Sequence, residues 1–371
     1  MLGQIMARSD VILACDMMIG LEGSIQPALY LAEELIARGH KVSIISPLMS
    51  NDVERRLIED DITPVNLHAK LLLGNVGHSW SWFETWAQEA FLRLRSKRLS
   101  KITATVNFSQ VISMPSRVWY LQGPPTIALR DMEKELSIAF RLGYNAVKPF
   151  IERADEGLIN RMRRGSGMII GNSRFCASMY SKYGIEASDV IYPPIDCQTF
   201  RPSPSSNSSD YVLTYFGKET KFSVVKRVAD EGVKIKAFGS KVSLVQKNLI
   251  EHPNVEFLGR ISTSTLVEAY SNALFTLFPF THEPFGYVPL ESMACGTPVL
   301  TYNMQGPSEY VTNERTGWLI ETDEEAAKKA VSLWNNGYPA HMNARCVEEA
   351  ARFDKKNYVE KWLRLLKDSY R

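Results

Sequence analysis

The chain has 371 residues, enough for two ordinary domains, and 45% of them are hydrophobic, so each half can bury a core. Its 43 basic and 41 acidic residues leave a net charge of +2, which excludes the basic excess of a nucleic-acid binder. The five cysteines are scattered and form no C-x-x-C pair, which argues against a disulfide framework or zinc site and fits reduced thiols in a cytosolic protein.

No apolar run approaches the roughly 20 residues that span a bilayer. The opening M-L-G-Q-I-M-A-R-S-D is too short and polar for a secretory signal. The expectation is a soluble cytoplasmic protein, peripheral to a membrane at most. Residues 10–16, D-V-I-L-A-C-D, read as a first strand. The loop M-M-I-G-L-E-G ends in Gly23, Ser24 is the predicted N-cap, and Pro27 sits in the first turn, where its missing N–H costs nothing. Ala28, Leu31, Ala32 and Leu35 recur at helical spacing, Gly39 stops the helix, and residues 41–46 read as a second strand. A βαβ unit with a glycine loop at its first turn predicts a parallel, doubly wound sheet.

Residues 80–102 differ in kind. Trp80, Trp82, Phe83, Trp86 and Phe91 come first, and Arg93, Arg95, Lys97, Arg98 and Lys101 follow. Two readings stand: contact with an anionic membrane surface, or a core helix with a solvated basic face.

The second half repeats the α/β grammar. Strands are expected at 211–216, 233–238, 255–258, 273–280 and 298–302, with helical segments between them. The stretch R-P-S-P-S-S-N-S-S-D at 201–210 is the linker candidate, and Tyr192-Pro193-Pro194 ahead of it reads as a stiff, extended crossing. The predicted division is 1–200, a linker at 201–210, a second domain at 211–355 and a final amphipathic helix from 356 to 371. That helix carries Tyr358, Trp362, Leu363, Leu365 and Leu366 and must bury its apolar face.

The most informative stretch is 281–306, T-H-E-P-F-G-Y-V-P-L-E-S-M-A-C-G-T-P-V-L-T-Y-N-M-Q-G. A strand feeding a glycine loop into a helix offers unpaired backbone N–H groups and a positive dipole end to an anion. Gly286 lets the backbone approach a diphosphate closely, and residues 285–288 supply the N–H groups. Glu291 lies about one turn past Tyr287 and can accept from ribose hydroxyls. Glu283, in the loop, can reach a sugar. The pattern suggests a nucleotide-sugar site.

Residues 283–291, E-P-F-G-Y-V-P-L-E, resemble the E-x7-E motif of retaining glycosyltransferases of family 4, which have the GT-B architecture. The resemblance extends to Gly23 and the helix after it, to I-G-N-S-R-F and V-I-Y-P-P-I-D-C-Q-T-F before the linker, to F-L-G-R containing Gly259 and Arg260, to L-V-E-A-Y-S-N-A, and to G-P-S-E-Y-V and T-G-W-L after the motif. It is dense from about 170 to 320 and weak between roughly 68 and 110, where such enzymes recognise acceptors.

The resemblance implies two Rossmann-like domains facing a cleft, with the last helix packing back on the first. It implies a nucleoside-diphosphate sugar as donor, a sugar or lipid-linked acceptor, no nucleic acid, and no cofactor or metal. Glu283 would contact the donor sugar, Glu291 the ribose, and the N–H groups of 286–288 the diphosphate. The family's phosphate-binding arginine and lysine correspond here to Lys218 and Lys221. Lysine supplies charge without the bidentate fork. The first loop has Glu22-Gly23 where the family often has two glycines. Gln122, in V-W-Y-L-Q-G-P-P, stands where many members have a histidine; it can bind a hydroxyl and cannot titrate. Catalytic roles thus fall to Glu283, Lys218 and Gln122.

No D-x-D dyad lies at a strand end, and Glu59-Asp60-Asp61 reads as a helix terminus. No carboxylate pair can be claimed as a double-displacement couple. Front-side attack, with the leaving phosphate as base, is the expected route. The alternatives are a nucleotide-sugar epimerase or hydrolase, for which His282 is the residue to watch, and a non-catalytic nucleotide-sugar-binding protein. A dehydrogenase would need G-x-G-x-x-G in the first loop, which is absent.

Overall fold

The computed structural model describes residues 10–21, 23–72, 78–132, 138–204, 210–239 and 247–368. The chain forms two units, one of Met1–Pro194 with Tyr358–Arg371, the other of Ile195–Asn357. The division falls at 194/195, just after the Tyr-Pro-Pro crossing and ahead of the Ser-rich stretch, of which 205–209 lie outside the described residues.

In the first unit the order is β1 (Val11–Ala14), α1 (Gln26–Ala37), β2 (Val42–Ser46), α2 (Asn51–Glu59), β3 (Thr63–Asn66), α3 (His78–Leu92), α4 (Leu94–Leu99), β4 (Ala104–Asn107), β5 (Ser116–Leu121), α5 (Pro125–Met132), α6 (Ile138–Gly165), β6 (Ser166–Gly171), α7 (Arg174–Ser181) and β7 (Asp189–Val190). The sheet runs β3-β2-β1-β4-β5-β6-β7, every pair parallel. The runs V-I-L-A of β1 and V-S-I-I-S of β2 are buried throughout, as strands covered by helices on both faces must be.

The expected N-cap at Ser24 is not formed. Gly23–Ile25 is a short 3-10 turn, and α1 starts after Ile25 without a side-chain cap. The proline in the first turn and the turn that precedes it start the helix instead. Gly39 ends it at φ +86, a conformation open to glycine.

The second unit contains β8 (Val212–Phe216), α8 (Phe222–Asp230), β9 (Ile235–Gly239), α9 (Lys247–Ile250), β10 (Val255–Gly259), α10 (Thr263–Ser271), β11 (Thr276–Phe278), α11 (Tyr287–Ala294), β12 (Val299–Tyr302), β13 (Gly317–Ile320), α12 (Asp323–Asn336) and α13 (His341–Ala350). Its sheet is also all parallel, in the order β10-β9-β8-β11-β12-β13. The strand expected at 273–280 is paired only over Thr276–Phe278. Beyond it the chain leaves the ladder and binds the neighbouring loop.

The last helix, α14 (Lys355–Asp368), returns its Tyr358, Val359, Trp362 and Leu366 to the core of the first unit, among Phe108 and Tyr120. The Tyr358 hydroxyl donates to the Pro27 carbonyl at 2.8 Å, which fixes the register of the helix.

In the 80–102 segment Trp86 is buried and donates its indole N–H to Asp155 at 3.0 Å, and Trp82 donates to Asp16 at 3.3 Å. The side chain of Trp80 lies outside the described residues. Arg95 is not a surface cation: its guanidinium donates to the Thr85 carbonyl and to Gln88, both at 2.8 Å. The buried Glu89 carboxylate accepts from the backbone N–H of Arg95 and Ser96 and so caps α4. Asp155 also accepts from the Thr126 hydroxyl and N–H, and burial pushes its carboxyl above the usual range.

Candidate active site

An open parallel sheet binds ligands at the carboxyl ends of its strands, where the strand order reverses. In the second unit that point lies between β8 and β11. The loop after β8 carries Lys218, Glu219 and Lys221, and the loop after β11 carries Glu283. The two are stitched together. Thr220 pairs with Phe280 in an isolated antiparallel bridge. Thr281 donates its N–H and hydroxyl to the Glu219 carbonyl at 2.9 and 3.1 Å. Lys221 N–H donates to the Pro279 carbonyl at 2.8 Å.

Gly286 stands at the N-cap of α11 with φ +97. A Cβ there would lie 2.8 Å from Pro307 Cγ, 2.9 Å from the Tyr310 hydroxyl and 3.3 Å from Glu283 Cγ. Only glycine fits both the angle and the space. The Tyr310 hydroxyl donates toward the carbonyls of Phe285 and Gly286, at 3.1 and 2.5 Å, and holds the turn from beneath. Gly306 is a second close approach: its N–H donates to the Glu283 carbonyl at 3.0 Å, and a Cβ would lie 2.3 Å from the Pro284 oxygen. Tyr287 and Val288 open the first turn of α11, whose N–H groups have no intrahelical acceptor, and Pro289 follows.

Glu283 is half-buried, and its Oε1 accepts from the Phe285 N–H at 3.3 Å. Burial pushes its carboxyl up to about 7, and the nearby Glu219 carboxylate pushes the same way. The N–H groups of Phe285 and Gly286 and the Lys218 ammonium pull it down by less. Lys218 pairs with Glu219 at 3.3 Å. Lys221 is turned to a different partner: its ammonium lies 2.8 Å from Asp323 and 4.3 Å from the Tyr302 ring centroid, and the Tyr302 hydroxyl also donates to Asp323. Its charge is committed to joining α8 to α12.

Glu291 lies on α11, one turn from Tyr287, and accepts from the buried Tyr270 hydroxyl at 3.0 Å. A carboxylate retains further acceptor sites beside that bond. Gly259 ends β10 at φ +67, and Arg260 after it is exposed. His282 is buried.

In the first unit the strand order reverses between β1 and β4. Asp16, just past β1, accepts from the N–H groups of Gln110 and Val111 at 2.9 and 3.2 Å and from the Ser109 hydroxyl. Gln122 is half-buried after β5, and its Nε2 donates to the Phe108 carbonyl at 2.7 Å. That bond turns Oε1 into the group left to meet a hydroxyl donor. Gly23 has φ +69 and open space where a Cβ would stand, so its constraint is conformational. Glu22 lies outside the described residues.

The second unit thus brings Glu283, Gly286, Lys218 and the first turn of α11 together, with Glu291 further along the same helix. Sequence reasoning passed over Glu219, Tyr310 and Asp16. Tyr310 lay within G-P-S-E-Y-V, and Glu219 directly follows Lys218, so proximity to a recognised motif was the available signal.

Residues 236–353 match the family described as Glycosyl transferases group 1. Among curated relatives, a D-inositol 3-phosphate glycosyltransferase of Acidothermus cellulolyticus is 36% identical over 106 residues, 28% of this chain and 24% of the relative. An alpha-1,3/1,6-mannosyltransferase of Neurospora crassa is 36% identical over 106 residues, 28% of this chain and 21% of the relative. The aligned stretch therefore spans about a quarter of the curated relatives' length or less. Among solved structures, Anabaena HepE in complex with UDP and glucose superposes with a TM-score of 0.69 at 16% identity, over 96% of this chain and 99% of that one. At that identity the likeness shows the fold alone, two Rossmann-like units of the GT-B class.

Proposed function

We propose that this chain, whose residues 236–353 match the group 1 glycosyltransferases, moves a hexose-type sugar from a nucleoside-diphosphate sugar to a hydroxyl acceptor, with retention and without a metal. The observation that carries the reading is Glu283, a half-buried carboxyl hung at the start of α11 beside Lys218. A relative of the same fold holds UDP and glucose.

In this reading the N–H groups of Gly286, Tyr287 and Val288, with Lys218, take the diphosphate. Glu291 takes the ribose, and Glu283 the hydroxyls of the donor sugar. Gly259 and Arg260 serve the nucleotide. Gln122 of the first unit offers Oε1 to a sugar hydroxyl, and Gly23 shapes the first loop. As the sugar's C1–O bond to phosphate breaks, an acceptor oxygen bonds C1 from the same face, and its proton passes to the departing phosphate oxygen. The site contributes preorganised charge where the leaving phosphate becomes more negative. Burial of His282, at 5% exposure, leaves the epimerase or hydrolase reading without an accessible imidazole.

The test is a panel of UDP-, GDP- and ADP-sugars, first by thermal shift and then by transfer to saccharide acceptors in EDTA. Glu283→Gln should lose transfer while still binding donor. Near-normal turnover of that variant would remove Glu283 from the mechanism.

A lipid-linked acceptor would bring the protein to a membrane. No described helix is long and apolar enough to cross one. The corner between α3 and α4 exposes Phe91, Leu92 and Leu94, at 51%, 58% and 54%, with Arg93, Lys97, Arg98 and Lys101 exposed around them. This corner, rather than the buried Trp86, is the proposed peripheral contact. Sedimentation with phosphatidylglycerol vesicles should lose the protein on Phe91, Leu92 and Leu94→Ser; equal binding by the variant would refute the contact.

A further inference from the structure

We propose that Glu219 is a positioning residue that exchanges Lys218 with the donor: it holds the ammonium in the unliganded enzyme, and when a nucleotide sugar takes that ammonium the Glu283 carboxyl binds a proton from solvent. The inference rests on the donor reading above for the identity of the ligand.

Three observations carry it. First, the Lys218 ammonium lies 3.3 Å from Glu219 Oε1, with the lysine side chain 48% exposed and the glutamate 20%. The lysine is the more open of the two to solvent and to a ligand. Second, the backbone of Glu219 is pinned by both donors of Thr281. Its carboxylate lies near the Gly217 backbone, where an added Cβ would stand 3.5 Å from Glu219 Oε2. Third, Thr281 is two residues from Glu283, so the stitching that anchors Glu219 also sets its distance to the second acid.

The groups acting on Glu283 are few. The loop after β8 contributes Glu219 and Lys218, and the turn after β12 contributes the Tyr310 hydroxyl. Its own segment contributes the Phe285 and Gly286 N–H groups, with His282 adjacent and Glu291 along the helix. Lys218 is the cation in that set. Recruiting it to a diphosphate takes its pull away from Glu283, leaves the push of Glu219, and adds negative charge nearby. Both changes favour the protonated acid. Burial already holds the Glu283 carboxyl near neutrality, so a small further push changes its charge at working pH. Because binding takes up a proton, donor affinity should rise as pH falls through the neutral range.

UDP-glucose is a suitable probe, since both of its phosphates are esterified and carry no proton that titrates near neutrality. Calorimetric titration at pH 7.5 in buffers of different ionisation enthalpy should show uptake of a fraction of a proton by the wild type, and a smaller fraction by Glu219→Gln. A buffer-independent enthalpy in the wild type, or unchanged uptake in Glu219→Gln, would overturn the proposal. A second arm needs no donor. Carbon-13 NMR titration of the unliganded protein should place the Glu283 carboxyl midpoint lower in Glu219→Gln and higher in Lys218→Met than in the wild type. A midpoint indifferent to both substitutions would refute the coupling. If UDP-, GDP- and ADP-glucose all fail to bind while the midpoints move as stated, the donor reading fails and the coupling of the three side chains stands.

Discussion

Gly286→Ala tests the geometry of the site most directly. At φ +97 an L-residue costs about 1–2 kcal/mol relative to glycine. The new methyl would also stand 2.8 Å from the Pro307 ring and 2.9 Å from the Tyr310 hydroxyl. Neither neighbour yields easily, because the proline ring is rigid and the tyrosine is anchored to two carbonyls of the same turn. Overpacking of this kind costs about 1–3 kcal/mol. The sum is about 2–5 kcal/mol, which for a domain of this size lowers Tm by roughly 5–15 °C. Scanning calorimetry reads the loss, and the donor KM should rise with it, since the N–H groups at the helix start move. Gly296→Ala is the control: its φ is +83, but the nearest atom to a new Cβ is 3.4 Å away, so only the backbone cost applies. Adding Tyr310→Phe to Gly286→Ala should recover part of the loss, because the two sites are in contact. A Gly286→Ala protein that melts within a degree of wild type and keeps its donor KM would refute the steric reasoning.

Lys218→Met should cut kcat at least tenfold with little change in Tm, whereas Lys221→Met should cost stability of about 1 kcal/mol and spare kcat, because its charge serves Asp323 and Tyr302; steady-state kinetics and melting separate the two. Trp86→Phe removes one donor from the buried Asp155 and should destabilise by about 1–3 kcal/mol in urea titration. The raised Glu283 carboxyl binds its proton more tightly folded than unfolded, so the stability it contributes is present at low pH and is lost as pH rises from about 4.5 to about 7. Urea midpoints across that range should flatten in Glu283→Gln, and an unchanged slope would count against the assignment.

The doubly wound class was legible because buried parallel strands are short apolar runs, as in V-I-L-A and V-L-T-Y, and because glycines mark the turns between them. The motif at 281–306 was legible for a similar reason: the helix start, its glycine and its two acids are neighbours in the chain. Ser24 misled because a cap depends on backbone angles, and a 3-10 turn occupies the place where the cap would form. The pairing of Lys221 with Asp323, about a hundred residues away, was not legible, because no local pattern joins them. The choice between the two readings of 80–102 needed the fold for the same reason, since the partners of Trp86 and Arg95 lie on other turns and helices.

By itself, then, the sequence determined what local pattern can encode: the strand and helix periods, the two α/β halves, and the Glu283–Glu291 frame around Gly286. The tertiary structure decided which charges meet. It set Glu219 beside Lys218 and Glu283, drew Lys221 away to Asp323, and placed the Tyr310 hydroxyl under the turn at Gly286. Those choices follow from the order of strands in a parallel sheet, which brings together loops that are far apart in the chain, and charge acts through distance in space.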